Sequence, residues 1–239
     1  MKRSLFVELR AAREHKTPVA VVTDMESGAQ ALVDANESLG DLDLDQLQLV
    51  TIREAIGQDK SGKLADGKTF VQVYAQPPRM LVVGAVHVTQ SLIPMAETAG
   101  YEVIVIDPRR AWATEDRFPG VKVLTDWPDE AIKMLKPDQR SAIIVLTHDP
   151  KLDDPALLAA LNSRAFYIGA LGSKRTHAKR VERLTEMGLN DRAIGRIHAP
   201  IGLPINAKSP AEIAISIMAQ VTQVRRGAPR PVRGAEAAA

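Results

Sequence analysis

Five short apolar runs, at 80–83, 101–106, 121–124, 142–146 and 165–168, constrain this chain more than any other feature. Each has strand length and lacks the polar alternation of a half-exposed strand, so both faces of the resulting sheet must be covered. Helical stretches separate most of them, and strands alternating with helices imply parallel βαβ units. The run 80–83 ends at Gly84, 101–106 at Asp107, 142–146 at Thr147-His148-Asp149 and 165–168 at Gly169. In a parallel α/β sheet ligands gather beyond the carboxyl ends of the strands. Gly84, Asp107, His148 and Gly169 are therefore expected to meet there.

The fold class that follows is α/β: a Rossmann-like doubly wound parallel sheet, preceded by a smaller α+β N-terminal domain. In that first part, Leu5, Phe6, Leu9 and Ala12 recur at helical spacing over 4–15. Residues 18–22 and 31–33 read as strands, and 42–56 as helical. A polar turn at 62–67 leads to an alternating strand at 69–74. Gln76-Pro77-Pro78-Arg79 interrupts the pattern and marks the boundary. The expected organisation is an N-terminal domain at 1–75, the Rossmann-like domain at 76–227 and a disordered Pro- and Ala-rich tail at 228–239. The last helix carries its own start signal, Ser209-Pro210-Ala211-Glu212, which offers an N-cap, a first-turn proline and a capping-box glutamate.

The 239 residues are 45% apolar, enough for a substantial core. The 31 basic and 29 acidic residues leave a net charge of only +2, which argues against a general nucleic-acid binder. There is no cysteine, so disulfides, thiolate metal sites and cysteine nucleophiles are excluded. No apolar run approaches the roughly 20 residues of a membrane span, and the N-terminal segment becomes charged too early for a signal peptide. A cytoplasmic protein with no membrane partner is the expectation.

The turn after the first of the five runs, Gly84-Ala85-Val86-His87-Val88-Thr89, has only the first glycine of a dinucleotide fingerprint. Val86 stands where a glycine normally lets the backbone approach a pyrophosphate, so NAD(P) binding is expected to be weak or absent. Asp107 lies near the spacing of a ribose-binding acid, but acids commonly end such strands. His148-Asp149 reads equally as a ligand-binding pair or as a structural histidine beside a helix cap. The segment Gly172-Ser173-Lys174-Arg175 has Ser173 as an N-cap and basic residues in the first turn. Basic residues there oppose the helix dipole, at about 0.3–1 kcal/mol each. A bound anion would turn that penalty into attraction, and the amides of a Gly-rich helix start suit phosphate. A solvated basic face is the plainer reading. The turn 198–203 and the arginines after Asp107 are open in the same way.

Taken in order, these segments resemble the C-terminal domain of the XdhC/CoxI family. Val83-Gly84-Ala85-Val86-His87-Val88 is similar to its Gly-Ala-Gly-His-Val turn, and Asp107-Pro108-Arg109 to its strand-end Asp-Pro-Arg. Leu146-Thr147-His148-Asp149 is similar to its Thr-His-Asp element, and 167–175 to its Tyr-Ile-Gly-x-x-Gly-Ser element. Residues 197–203 and 210–217 resemble its last two motifs. The resemblance implies a non-catalytic accessory protein of molybdenum hydroxylases of the xanthine or carbon monoxide dehydrogenase type. Such a protein holds molybdenum cofactor, as molybdopterin or its dinucleotide form, and delivers it to the apo-enzyme. Homodimerisation is a further family-level expectation. Carried onto this chain, the implied cofactor-binding residues are Gly84, His87, Asp107, Arg109, His148, Asp149, Gly172, Ser173, Lys174 and Arg175. Lys174 and Arg175 would neutralise phosphate, and Asp107 and Asp149 would accept hydrogen bonds from pterin or ribose. Two departures stand out. Val86 replaces a glycine, and the N-terminal part lacks the family's Gly-Ser-x-Pro-Arg and Gly-Gly-Cys-x-Glu elements. The rival readings are an oxidoreductase using NAD(P) and a cofactor-free scaffold for the client enzyme.

Overall fold

A computed structural model describes residues 2–15 and 17–227, so the expected tail at 228–239 lies outside the described residues. The chain divides into two compact units, Met1–Gln76 and Pro77–Ala239.

The first unit contains α1 (Arg3–Glu14), β1 (Val19–Asp24), β2 (Gln30–Val33), β3 (Ser38–Gly40), α2 (Gln46–Gln58), β4 (Gly62–Lys63) and β5 (Thr69–Tyr74). The strands form an antiparallel sheet of order β3-β2-β1-β5-β4. Period-two alternation sorts β1 between two helices. Val19 and Val21 point toward Leu5 and Leu9 of α1, while Ala20 and Val22 join Ile52 and Ile56 of α2. The second helix begins at Gln46, later than the apolar spacing implied. Asp45 Oδ1 accepts from the Gln48 amide and Gln48 Oε1 accepts from the Asp45 amide, a capping box that fixes the start. The β3 strand has no sequence signal. All three of its residues are exposed, so no apolar pattern marks it.

The second unit runs β6 (Arg79–Val83), α3 (His87–Thr98), β7 (Glu102–Ile106), β8 (Lys122–Leu124), α4 (Pro128–Leu135), β9 (Ser141–Val145), α5 (Pro150–Leu161), β10 (Tyr167–Ala170), α6 (Lys174–Glu186), α7 (Asp191–Ile194), β11 (Ile197–His198) and α8 (Pro210–Arg225). Its six strands are all parallel, in the order β11-β10-β9-β6-β7-β8. From β6 the chain winds outward to β8, then returns to β9 on the other side of β6. Two apolar clusters cover the sheet. Met80, Val82, Val103 and Ile144 pack with Leu92 of α3 and Ile217 of α8. Leu81, Val83, Ile104 and Ile143 pack with Ile132 of α4, Leu157 of α5 and Leu184 of α6. This is the doubly wound arrangement that the unalternated strands required.

The start of α8 follows its sequence signal. Ser209 accepts from the Glu212 amide and Glu212 returns the bond to the Ser209 amide. Gly169 departs from expectation. It lies inside β10, beside Ile144 and His198, because the strand continues to Ala170. A Cβ there would come within 2.5 Å of the Ile201 side chain, so glycine serves packing at this position. The sixth strand, β11, is Ile197 and His198, the second of which opens the segment read as a turn.

Candidate functional site

The order of the six strands reverses between β6 and β9. At such a switch point the connections leave in opposite directions and open a crevice beyond the carboxyl ends. One wall is Gly84-Ala85-Val86, the other Leu146-Thr147-His148. They touch closely: a Cβ on Gly84 would lie 3.0 Å from Thr147 Cγ2 and 3.3 Å from Thr147 N, and Gly84 has φ +118°. Only glycine takes that conformation without strain. The Gly84 carbonyl accepts from the Thr89 hydroxyl, which ties the turn to α3. Val86 precedes α3 and offers no side-chain cap, and its isopropyl group packs on the core. His87, the first residue of α3, is exposed.

Asp107 is fully buried at the end of β7. Its Oδ2 accepts from the Ala85 amide at 2.7 Å and from Arg109 Nη2 at 2.7 Å. Its Oδ1 accepts from the Arg109 amide at 3.0 Å and from Arg109 Nε at 2.9 Å. Burial pushes this carboxyl up, but the Arg109 fork and the two amides outweigh burial and hold it below the usual carboxylate range. With both oxygens engaged, Asp107 is a positioning residue that fixes Arg109 and the 84–86 turn together. This is not the free acceptor expected from its spacing. Arg109 reaches over the Trp112 ring, 5.2 Å from its centroid, and Arg117 lies 5.6 Å from the same ring. Arg117 Nη1 donates to the Ala85 carbonyl at 2.9 Å and to the Trp112 carbonyl at 2.7 Å. Trp112 and Arg117 were not singled out in the sequence, because the loop that carries them has no periodicity.

Beyond β9, His148 is exposed and has φ +63°. Asp149 Oδ1 accepts from the Lys151 amide at 3.0 Å and caps α5. Asp153 is buried, accepts from the Thr147 hydroxyl, and receives Arg180 Nη2 at 3.2 Å. Beyond β10, Gly172 has φ +142°, and Ser173 Oγ caps α6 by accepting from the Thr176 amide at 3.1 Å. Ser173, Lys174 and Arg175 are exposed. A cavity of about 220 Å³ brings His148 and Arg175 together with Asp153, Lys179, Arg180 and Arg183, and Lys174 is not in its lining. Sequence reasoning missed Arg180. The signal was present, because Arg180 and Leu184 share the buried face of α6 at i and i+4.

The parallel six-stranded order with helices on both faces defines a Rossmann-type domain. Residues 80–221 match the XdhC Rossmann domain, and the chain belongs to that family. It is 30% identical over 176 residues to the uncharacterized protein YqeB of Escherichia coli K12, covering 74% of this chain and 32% of that one. It is 30% identical over 158 residues to a probable xanthine dehydrogenase subunit from Bacillus subtilis 168, covering 66% of this chain and 46% of that one. Over 88 residues it is 40% identical to the molybdenum cofactor insertion chaperone PaoD of E. coli K12, covering 37% of this chain and 28% of that one. The chain thus spans less than half the length of each of these relatives. A crystal structure described as a xanthine dehydrogenase from Bacillus halodurans superposes with TM-score 0.73 at 25% identity, covering 95% of this chain and 68% of that one. Among the described residues, no helix is long and apolar enough to cross a membrane.

Proposed function

We propose that this protein is a maturation factor that binds molybdenum cofactor and aids its insertion into a molybdenum hydroxylase of the xanthine or carbon monoxide dehydrogenase type. The observation that carries this reading is the cationic cavity beyond His148, at the carboxyl ends of the parallel strands, in a chain that is similar to a named cofactor insertion chaperone. The site fits the group in charge, since the cations beside His148 match a phosphoryl anion. Bound, the cofactor supplies a planar pterin with hydrogen-bonding edges and one or two phosphates. In this reading His87 and His148 contact the ligand from the two walls, and Asp107 holds Arg109 at the rim. Asp149 and Ser173 keep the starts of α5 and α6 ordered, with Gly172, Lys174 and Arg175 beside them. The molybdopterin form ends in one phosphate and the dinucleotide form in a pyrophosphate carrying a nucleoside, and the cations beyond His148 match the phosphoryl charge of either. The half-buried Val86 side chain disfavours NAD(P), whose pyrophosphate needs that space. We place the protein in the cytoplasm, as a homodimer that transfers its cargo to an apo-enzyme.

The test is purification from a host that makes molybdenum cofactor, followed by assay for bound pterin and molybdenum. Near-stoichiometric pterin, reduced in His148→Ala and Arg109→Ala, is the expected result. A preparation free of both pterin and molybdenum, from a host shown to make both, overturns the reading.

A further inference from the structure

Three buried side-chain nitrogens have no hydrogen-bond partner among the described residues: Arg180 Nε, Arg180 Nη1 and His177 Nδ1. Arg180 is 1% exposed, yet only its Nη2 is used, toward Asp153 Oδ2 at 3.2 Å and the Leu171 carbonyl at 3.0 Å. A buried cation with three N–H bonds unmade is costly, because its desolvation is not compensated. Such a group implies a missing acceptor. Arg180 lines the cavity beyond the carboxyl ends of β9 and β10, one strand along from the switch point.

The rest of the lining has the same character. Arg175, Lys179 and Arg183 follow one another at i, i+4 and i+8 along α6, beside Arg180. Like charges at this spacing repel, and cations near a helix start oppose its dipole. Their counter-charges are incomplete. Asp154 pairs with Arg183, through Nη2 at 3.0 Å and Nε. Asp153 faces Arg180 and takes only its Nη2. With Arg183 paired to Asp154, the cavity holds Arg175, Lys179 and Arg180 against Asp153 alone.

We propose that Arg180, with Arg175 and Lys179, forms a pocket for a phosphoryl group, reached past His148 from the switch-point crevice. Assigning this group to the tail of molybdenum cofactor rests on the function proposed above. The anion pocket itself does not. Its distinguishing feature is the buried guanidinium, which the exposed Gly172–Arg175 turn lacks. The volume of about 220 Å³ is sufficient for a pyrophosphate group.

The experiment is calorimetric titration of the full chain, purified free of pterin from a host that cannot make molybdenum cofactor, with inorganic pyrophosphate and, separately, with sulfate. Saturable 1:1 binding of pyrophosphate is expected, weakened roughly tenfold or more in Arg180→Gln and in Lys179→Ala, since each removes a charge-assisted bond. Lys122→Ala, on the far edge strand, controls for general charge and should bind as the parent does. Lys179 and Arg175 are exposed, so Lys179→Ala and Arg175→Ala keep the test valid if Arg180→Gln does not fold. No pyrophosphate binding, equal binding of sulfate, or affinity unchanged in the α6 variants overturns the pocket while leaving the cofactor reading intact. Exclusion of pyrophosphate from protein purified with pterin bound supports the cofactor tail as occupant. Undiminished pyrophosphate binding to that protein overturns this assignment. Pyrophosphate binding by protein that carries no pterin even from a host that makes the cofactor would sink the proposed function and confirm the pocket.

Discussion

Replacing Gly84 with alanine tests whether the crevice floor is built on close backbone approach. Two costs combine. An L-residue at φ +118° carries backbone strain on the order of 1–3 kcal/mol. The added Cβ would also lie 3.0 Å from Thr147 Cγ2, 3.3 Å from Thr147 N and 3.4 Å from the Leu146 carbonyl carbon. Two of these three neighbours are backbone of the adjacent parallel strand end, which cannot swing aside. Overpacking of this kind typically costs about 1–3 kcal/mol. The expected loss is therefore about 2–6 kcal/mol, a large share of the roughly 5–15 kcal/mol that a domain possesses. The chain has two tryptophans, Trp112 and Trp127, and both lie in the second unit. Urea unfolding followed by tryptophan fluorescence thus reports that unit alone. Gly100→Ala is the reference. Gly100 also has positive φ, +83°, but nothing lies within 4 Å of its would-be Cβ, so it carries the backbone cost without the contact. An unfolding midpoint for Gly84→Ala no lower than for Gly100→Ala would refute the close-approach argument.

Three further outcomes are expected. Asp153→Ala should cost about 3–5 kcal/mol by stranding the Arg180 charge, whereas Asp153→Leu combined with Arg180→Met should recover most of that loss in the same fluorescence assay. The Asp107 carboxyl is held below its ordinary range, so its contribution is present above the unfolded pKa and lost as pH falls through the folded one. The stability gap between the parent and Asp107→Asn should accordingly be full above about pH 4 and shrink below it, measured by urea midpoints across that range. Ser209→Ala removes the capping-box acceptor of α8 and should lower second-unit stability by about 1 kcal/mol, with unchanged far-ultraviolet circular dichroism before unfolding.

Much of the architecture was legible in the sequence because its causes are local. The runs at 80–83 and 142–146 are apolar at every position, which already demands a sheet covered on both faces. Ser209 with Glu212, and Ser173 before its basic turn, mark helix starts through bonds that span three residues. Asp45 carries the same signal, inside the stretch 42–56 whose apolar spacing by itself implies an earlier start. Of the candidate site, Gly84, His148 and the Gly172 turn are legible as strand-end positions, and the folded chain places them just beyond β6, β9 and β10.

What the tertiary structure alone decided depends on contacts distant along the chain. The β3 and β11 strands are short and lack an apolar pattern of their own; pairing with β2 and β10 makes them strands. Asp107 has the spacing of a ribose acid, but the folded chain brings Arg109 and the Ala85 amide onto both of its oxygens. Arg180 is one of several basic residues in a helix whose start reads either as an anion site or as a solvated face. It is buried because Leu184, one turn on, must face the sheet, and it is tolerated because Asp153, 27 residues earlier, arrives beside it on α5. Sequence periodicity determines which face of a helix goes inward, whereas the identity of a buried charge's partner is fixed only when the sheet brings α5 and α6 together.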